Sequence, residues 1–444
     1  MQAIRNLNYE YIRDTSHIER IRSVITEGIT PIQFDTETTG LDPHEDSILL
    51  YQFGNGRKQF VVDNRAVPVT AFKDILEDRR RAKILHNAKF DYKMLKSEGI
   101  TMEGARDTQL AEYCLTAGLQ RDGRDLGTVA AKYLGIRLDK EMQESFIGMS
   151  KDAVFSERQI AYAAADVALL EDILNRQWVP IRKHGLHHTA HLEFNVMPAF
   201  ADMEYYGIPL DKDRWLNNVE GSVKGLKQVI ASLDDWAVDN RFADRNFAGE
   251  VSINWASPKD LLIVLNKTFV NRGETKLTSS DDATLERLWD KFHHPILSQL
   301  REFRDLSKRT GTYGMAYLKF LHPKTGCIHP EFNQYGTATG RPTGKQPNML
   351  NIPRDKNYRE AFRAPEGYDV HTKDYSGAEL RIVASMSGDH AMCEAYNQGK
   401  DLHSYVAAKF MQRDYDEFIK LVKAKDQEAC DIRQAVKAIN FGGQ

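Results

Sequence analysis

The chain has 444 residues, and at roughly 100 to 200 residues per domain it holds about two to four domains, which excludes a single small module. Its 60 Lys and Arg stand against 63 Asp and Glu, a formal net charge of −3, and 41% hydrophobic residues exclude a disordered or collagenous chain. Charge is unevenly spread: residues 301–360 carry eleven Lys/Arg and five Asp/Glu, and the rest of the chain 49 against 58, so one basic stretch sits on an acidic body. Cys114, Cys327, Cys393 and Cys430 are scattered with no CxxC pair, so a reduced compartment and no structural metal cluster are expected. The opening MQAIRNLNYEYIRD lacks the apolar run of a signal peptide, and no stretch approaches the roughly 18 apolar residues of a membrane helix. A cytoplasmic protein with no membrane partner is expected.

In chain order, residues up to about 185 alternate strand-like runs (ITPIQFDTE, ILLYQFGN, KQFVV, AKILHN) with helical stretches (FDYKMLKSEG, QIAYAAADVALLEDILNRQW), the pattern of an α/β domain. From about 190 to 330 the apolar spacing is helical, in HLEFNVMPAFADMEYYG, SPKDLLIVLNKTF, DATLERLWDKF and PILSQLREFRDLSKRTGTYGMAYLKFL. Residues 327–355 are rich in Gly, Pro, Thr and Asn, which predicts an ordered loop or β-turn segment. A strand-like run, YDVHTKD, then leads into GAELRIVASMSGD, a predicted helix, and the sequence closes on ACDIRQAVKAINFGGQ.

Chemistry gathers first around four acids and a phenol. Asp35 and Glu37 are two apart on the strand IQFDTET, so period two puts both carboxylates on one face. A lone DxE is more often a solvated strand end. Here it is joined by Asn87, Phe90 and Asp91 in NxxFD after a strand, and by Tyr162 and Asp166 in YxxxD, where i and i+4 share a helix face. Over residues 25 to 180 the set resembles the proofreading 3′-to-5′ exonuclease family in motif order and spacing. The resemblance implies that Asp35, Glu37, Asp91 and Asp166 hold two divalent ions and that Tyr162 orients the attacking water. The chemistry is consistent, because Mg²⁺ prefers carboxylate oxygen and two ions can stabilise both attacking and leaving oxygens; Mn²⁺ would substitute.

The later motifs, TATGRPTGKQPNMLNIPR, KDYSGAELRIVASMSGD, GKDLHSYVAAKF and RQAVKAINFGG, resemble family A DNA polymerases of the bacterial polymerase I type, with phage members as nearest kin. Weaker echoes (MEYYGIPLDKDRW, INWASPKDLL, REFRDLSKRTGTYG) extend the likeness back through a thumb. By that resemblance Asp374 is the first palm aspartate for a catalytic Mg²⁺ pair, and Glu379 is a steric gate against a ribose 2′-OH. Arg433, Lys437 and Phe441, spaced i, i+4 and i+8, are implied by the resemblance to meet the triphosphate and the sugar or base, and His403 to add a phosphate contact. The same resemblance implies that Arg341 reaches the primer-terminus minor groove and that Arg304, Lys308 and Tyr313 lie near the duplex backbone, giving affinity without sequence reading. Gly377 stands where many members have glutamine.

The expected fold class is therefore a ribonuclease H-like α/β exonuclease domain with a mixed sheet (1–185), a mostly α-helical thumb (186–330), and the start of an α+β palm (331–400) and fingers (401–444). The expected partners are primer-template DNA, single-stranded 3′ ends and deoxynucleoside triphosphates. The resemblance also implies a motif B tyrosine and an HDE segment with a second palm aspartate, neither of which follows Gly443. The chain is accordingly expected to be the amino-terminal portion of a split or interrupted polymerase, paired with a carboxyl-terminal fragment in a bacterial or phage-infected cell. The alternatives are an RNA-trimming 3′ exonuclease and a non-catalytic primer-template-binding subunit.

Overall fold

Alternation of apolar side chains along short runs builds the first sheet. The computed structural model describes residues 7–28, 30–117, 123–138, 142, 144–150 and 152–442, with side chains as far as Ile439. The chain divides into two compact units, residues 1–369 and 370–444. No helix among the described residues is long and apolar enough to cross a membrane.

In the first unit, β1 (Tyr9–Ile12), β2 (Ile32–Thr38), β3 (Ile48–Gly54), β4 (Gln59–Asp63), β5 (Lys83–Leu85) and β6 (Ala105–Asp107) form a six-stranded sheet. Its order is β1-β4-β3-β2-β5-β6. The β2-β3 and β3-β4 pairs are antiparallel, and β1-β4, β2-β5 and β5-β6 are parallel, so the sheet is mixed as expected. All four strand-like runs of this region become strands; β1 and the three-residue β6 were too short or too polar to stand out.

The two faces of this sheet carry different layers. Phe34, Tyr51, Phe53, Phe60 and Val62 face one core, shared with α1 (Ile18–Ile25), α2 (Ala88–Ser97), α3 (Thr108–Thr116) and the helix over His187–Tyr206. Leu50 and Val61 face the other, against Ile160, Ala163 and Ala164. After α4 (Leu126–Leu134), these last residues belong to α5 (Glu157–Ala168), which starts at a capping box in which Ser156 and Gln159 satisfy each other's backbone N–H groups. Ala163, Ala164 and Ala165 are all buried, and their small side chains let α5 lie close on the strands. Ala164→Leu would overpack this contact at a cost of about 1–3 kcal/mol. The stretch predicted as one helix breaks at Leu169, with α6 (Leu170–Lys183) following.

A helical layer follows: α7 (His187–Tyr206), α8 (Lys212–Asp239), α9 (Pro258–Phe269), α10 (Asp282–Phe292) and α11 (Pro295–Gly311). Val229, Leu233 and Ala237 of α8 pack against Leu297, Leu300 and Phe303 of α11, Leu265 and Phe269 of α9, and Leu285 and Leu288 of α10. At the base of α8, Trp215 is fully buried, stacked on Tyr317 with centroids 4.5 Å apart and edge-on to Tyr358 at 5.1 Å. Its loss would cost about 3–5 kcal/mol. The run predicted as helix to Leu321 instead ends at Gly311 and resumes as a 3₁₀ turn, Met315–Phe320, because the glycines at 311 and 314 end the regular winding. The Gly/Pro-rich segment is non-helical as expected apart from one 3₁₀ turn: β7 (Ile208–Pro209) pairs with β8 (Cys327–Ile328), and β9 (Glu331–Asn333) with β10 (Thr343–Lys345).

The second unit holds α12 (Ala378–Ser387), α13 (His390–Asn397), α14 (Leu402–Phe410), α15 (Tyr415–Lys423) and α16 (Gln427–Gly442). The strand expected over YDVHTKD does not form. Residues 368–375 are exposed and irregular, because alternation makes a strand only where a neighbouring strand completes the hydrogen-bond ladder, and none of the described strands pairs with this run.

Candidate exonuclease centre

The acids of the first unit reach one cleft from both sides of the sheet. Asp35 and Glu37, alternate residues of β2, point to the α5 side. Asp166, four residues after Tyr162 on α5, comes down to meet them. Carboxylate oxygens of Asp35, Glu37 and Asp166 all lie within 4.8 Å of one another, with Asp35 partly exposed and the other two buried. Asp91 does not share that layer. It rises from α2 on the opposite face, and Thr36, the β2 residue between the other two acids, donates its hydroxyl to Asp91 Oδ1 at 2.7 Å. The four acids and Tyr162 nevertheless line one cleft of about 230 Å³, together with Asn87 and Phe90.

Local geometry explains Asp91. Asn87 precedes α2 with φ of 62°, a left-handed conformation that Asn tolerates better than most residues. Asp107 at the end of β6 accepts from Asn87 N at 3.0 Å and Ala88 N at 2.8 Å while capping α3 through Gln109 N at 2.7 Å. One carboxylate thus ties the starts of two helices to the sheet edge. At the other end, Glu204 of α7 is 3% exposed and accepts from Lys89 and Lys93, the residues flanking Asp91, at 2.5 and 2.7 Å, and from Phe332 N of β9 at 2.7 Å.

Electrostatics in the cleft oppose four free carboxylates. Burial pushes Asp35 up to about 7. Burial, then repulsion from Asp35, Asp166 and Asp91, holds Glu37 well above the usual range. Burial and the Asp35 charge also raise Asp91 and Asp166. The Tyr162 phenol is raised by burial and by the nearby Asp166 and Glu37, so it stays protonated. Asp166 Oδ1 is buried with no hydrogen-bond partner among the described residues. A crowd of oxygen ligands with an orphaned buried oxygen fits a hard divalent cation, which removes the repulsion without protonating the acids.

Among the other residues that line the same cleft, none of them singled out from the sequence, are the polar side chains of His86, Gln109 and Asp125. His86 places Nδ1 2.8 Å from Thr108 Oγ1 and Nε2 2.9 Å from Arg124 O, and burial lowers its pKa, favouring the neutral ring. Its position directly before Asn87 was the available signal; Gln109 and Asp125 carried none beyond their places at helix starts.

The profile described as DNA polymerase family A matches residues 228–443, and that described as 3′-5′ exonuclease matches residues 9–178. The chain belongs to DNA polymerase family A. Its exonuclease domain contains the whole carboxylate centre. DNA polymerase I of Aquifex aeolicus is 28% identical over 460 residues, covering 98% of this chain and 72% of that protein. DNA polymerase I of Bacillus subtilis is 29% identical, covering 99% and 48%, and that of Mycobacterium tuberculosis is 32% identical, covering 83% and 39%. This family A chain therefore spans less than half the length of the latter two relatives. A solved structure titled the POL domain of Pol1 from M. smegmatis, in complex with DNA primer-template and dNTP, superposes with a TM-score of 0.71 at 25% identity, covering 98% of this chain and 71% of that one.

The residues expected at a family A polymerase site are distributed as follows. In the first unit, Arg341 is exposed in the turn between β9 and β10, where Thr337 Oγ1 accepts from its backbone N at 3.0 Å. Lys308 lies on α11, and Arg304 on the same helix donates to the Ser280 carbonyl. Tyr313 is 3% exposed and its hydroxyl is spent on the Asn351 carbonyl, so it packs with Trp215, Tyr317 and Tyr358 and does not present to solvent. Much of the basic stretch is neutralised: Arg309 pairs with Asp305 and Asp355, Lys345 with Glu331, and Lys356 with Glu360.

In the second unit, Asp374 is exposed before α12 and Glu379 is in the first turn of that helix. Gly377 caps α12 with φ of 61°, a backbone that a glutamine would adopt only under strain. Arg433 Nε donates to Asp401 Oδ2 and Ser404 Oγ, both at 3.0 Å, beside His403. Burial lowers the His403 pKa, Asp401 opposes that effect, and Arg433 and Lys437 reinforce it. The Phe441 side chain lies outside the described residues.

Proposed function

We propose that this chain is a 3′-to-5′ DNA exonuclease whose active centre is the cleft of Asp35, Glu37, Asp91, Tyr162 and Asp166, working within a proofreading polymerase. The observation that carries the reading is the meeting of three carboxylates within 4.8 Å beside a protonated phenol. Asp35, Glu37 and Asp166 would hold Mg²⁺ or Mn²⁺, with Asp91 closing the set from the other face of the sheet. Bound divalent ions supply stabilisation of the attacking and leaving oxygens of a phosphodiester. The chain's own groups do the rest. Tyr162 keeps its proton and so orients water as a hydrogen-bond partner, without acting as a base. Asn87 and Phe90 form the wall on which a terminal nucleotide would rest. A single-stranded or frayed 3′ end is the substrate proposed for this cleft.

Domains 1–185, 186–330, 331–400 and 401–444 are proposed as exonuclease, thumb, palm and fingers regions. Arg304, Lys308 and Arg341 are proposed contacts for primer-template, and Glu379, His403, Arg433, Lys437 and Phe441 for the incoming deoxynucleoside triphosphate. Nucleotide addition by two ions takes two carboxylates. Asp374 would be one, and a carboxyl-terminal polymerase segment would bring the other. Kinship with phage members, which the glycine at 377 favours, belongs to the same reading.

The test is degradation of a 3′-labelled single strand with Mg²⁺. The parent chain should shorten it stepwise, and Asp35→Ala with Glu37→Ala should lose roughly a hundredfold or more of the rate while binding DNA normally. Equal rates for parent and double variant would exclude this centre.

A further inference from the structure

One more polar side chain lies beside the acids, and its position follows from strand register. Gln52 of β3 stands directly opposite Asp35 of β2 in the antiparallel ladder. Directly opposed residues project from the same face with Cβ atoms about 4.5–5.5 Å apart. On that face Gln52 is followed across the sheet by Val61 and preceded along its strand by Leu50, both packed under α5. Gln52 is 0% exposed, and neither its Oε1 nor its Nε2 has a hydrogen-bond partner among the described residues.

A second glutamine on the same face shows what a purely structural residue looks like here. Gln33, two residues before Asp35, is also 0% exposed, but its Nε2 donates to Glu171 at 2.9 Å and its Oε1 accepts from Gly56 N at 3.0 Å. Burying an unpaired amide destabilises a fold, and a leucine or methionine would fill the same volume without that cost. The orphaned Gln52 donor therefore stands next to a carboxylate cluster that has an orphaned acceptor of its own, Asp166 Oδ1.

We propose that Gln52 is a positioning residue of the exonuclease centre, its Nε2–H donating to the Asp35 carboxylate when that carboxylate binds a divalent cation. The hydrogen bond fixes the carboxylate's orientation toward the cleft. Groups that hold metal-ligating side chains in this way are worth roughly 10- to 100-fold in metal affinity. The inference rests on the exonuclease reading above.

The experiment compares the full chain with Gln52→Leu and Gln52→Met. Mn²⁺ binding is followed by electron paramagnetic resonance without DNA, melting temperature is measured without metal, and rate is measured against Mg²⁺ concentration on a single strand. The expected result is Mn²⁺ affinity weakened about tenfold or more and a half-saturating Mg²⁺ concentration raised in proportion. The rate at saturating Mg²⁺ should recover to within about twofold, and the metal-free melting temperature should not fall, because the unpaired amide is gone. Unchanged Mn²⁺ affinity overturns the proposal. So does an affinity loss that only tracks a lowered melting temperature in both variants. A parent that binds Mn²⁺ but leaves DNA intact refutes the exonuclease reading instead, and a parent that binds no Mn²⁺ refutes both.

Discussion

Glu204 should be among the most costly single side chains to remove from the first unit. It is 3% exposed and faces two ammonium groups, Lys89 and Lys93, whose side chains are only 16% and 17% exposed. Glu204→Ala leaves both charges with little water to replace the lost partner, a situation worth about 3–5 kcal/mol. Lys89 keeps one acceptor, the Phe332 carbonyl, so the lower part of that range is expected, about 3 kcal/mol. For a cooperative unit the size of residues 1–369, with an unfolding entropy of about 2.1 cal/mol/K per residue, this corresponds to a fall in melting temperature of about 4 °C. Scanning calorimetry of the parent and variant measures it. The cause is uncompensated charge and not lost packing, so the triple variant Lys89→Met, Lys93→Met, Glu204→Leu should recover most of the loss. A drop of under about 2 °C in Glu204→Ala, or a triple variant as unstable as the single one, would refute this account.

Two further outcomes follow from the charges. Because burial raises the folded-state pKa of Asp35 to about 7 from an ordinary 3.8, the metal-free fold tolerates the protonated acid best; that stability is fully present below about pH 4 and is lost as pH rises through 7. The metal-free melting temperature should therefore fall between pH 5 and 8, less steeply in Asp35→Asn, and an equal slope for the two proteins would contradict the raised pKa. Arg341→Ala should reduce the slope of log DNA affinity against log salt by about 1 if the side chain meets one phosphate; an unchanged slope measured by fluorescence anisotropy would remove it from the interface.

The parts of the centre legible in the sequence were those in which chemistry and periodicity lie within one element. Asp35 and Glu37 on a strand, and Tyr162 and Asp166 one helical turn apart, needed no tertiary knowledge to be placed on common faces. What stayed hidden depends on pairing between elements. That Asp91 enters from the opposite layer is decided by which helix packs on which face, and NxxFD has no mark of that. Gln52 belongs with Asp35 only through the β2-β3 register, which a bulge between Glu37 and Thr38 shifts along the strand. The 28-residue α8 was also missed, because Gly221 and Gly225 and many polar residues interrupt the apolar stripe that Trp215, Val219, Val229 and Leu233 form in the fold. YDVHTKD errs the other way, showing a strand's alternation without a strand's neighbour.

The division of the acids between two layers bears on when this chain becomes able to cut. Before α2 docks on one side of the sheet, Asp91 is missing; before α5 docks on the other, Asp166 and Tyr162 are. A chain whose synthesis has passed α2 but not reached α5 has the strand with Asp35 and Glu37 and at most one flanking layer. Such a chain has an incomplete ligand set, and the mutual repulsion of the acids gives it no help in closing it. With this cleft as the proposed nuclease centre, activity is confined to molecules with both layers in place. A half-folded copy lacks the ligand set that the proposed chemistry needs.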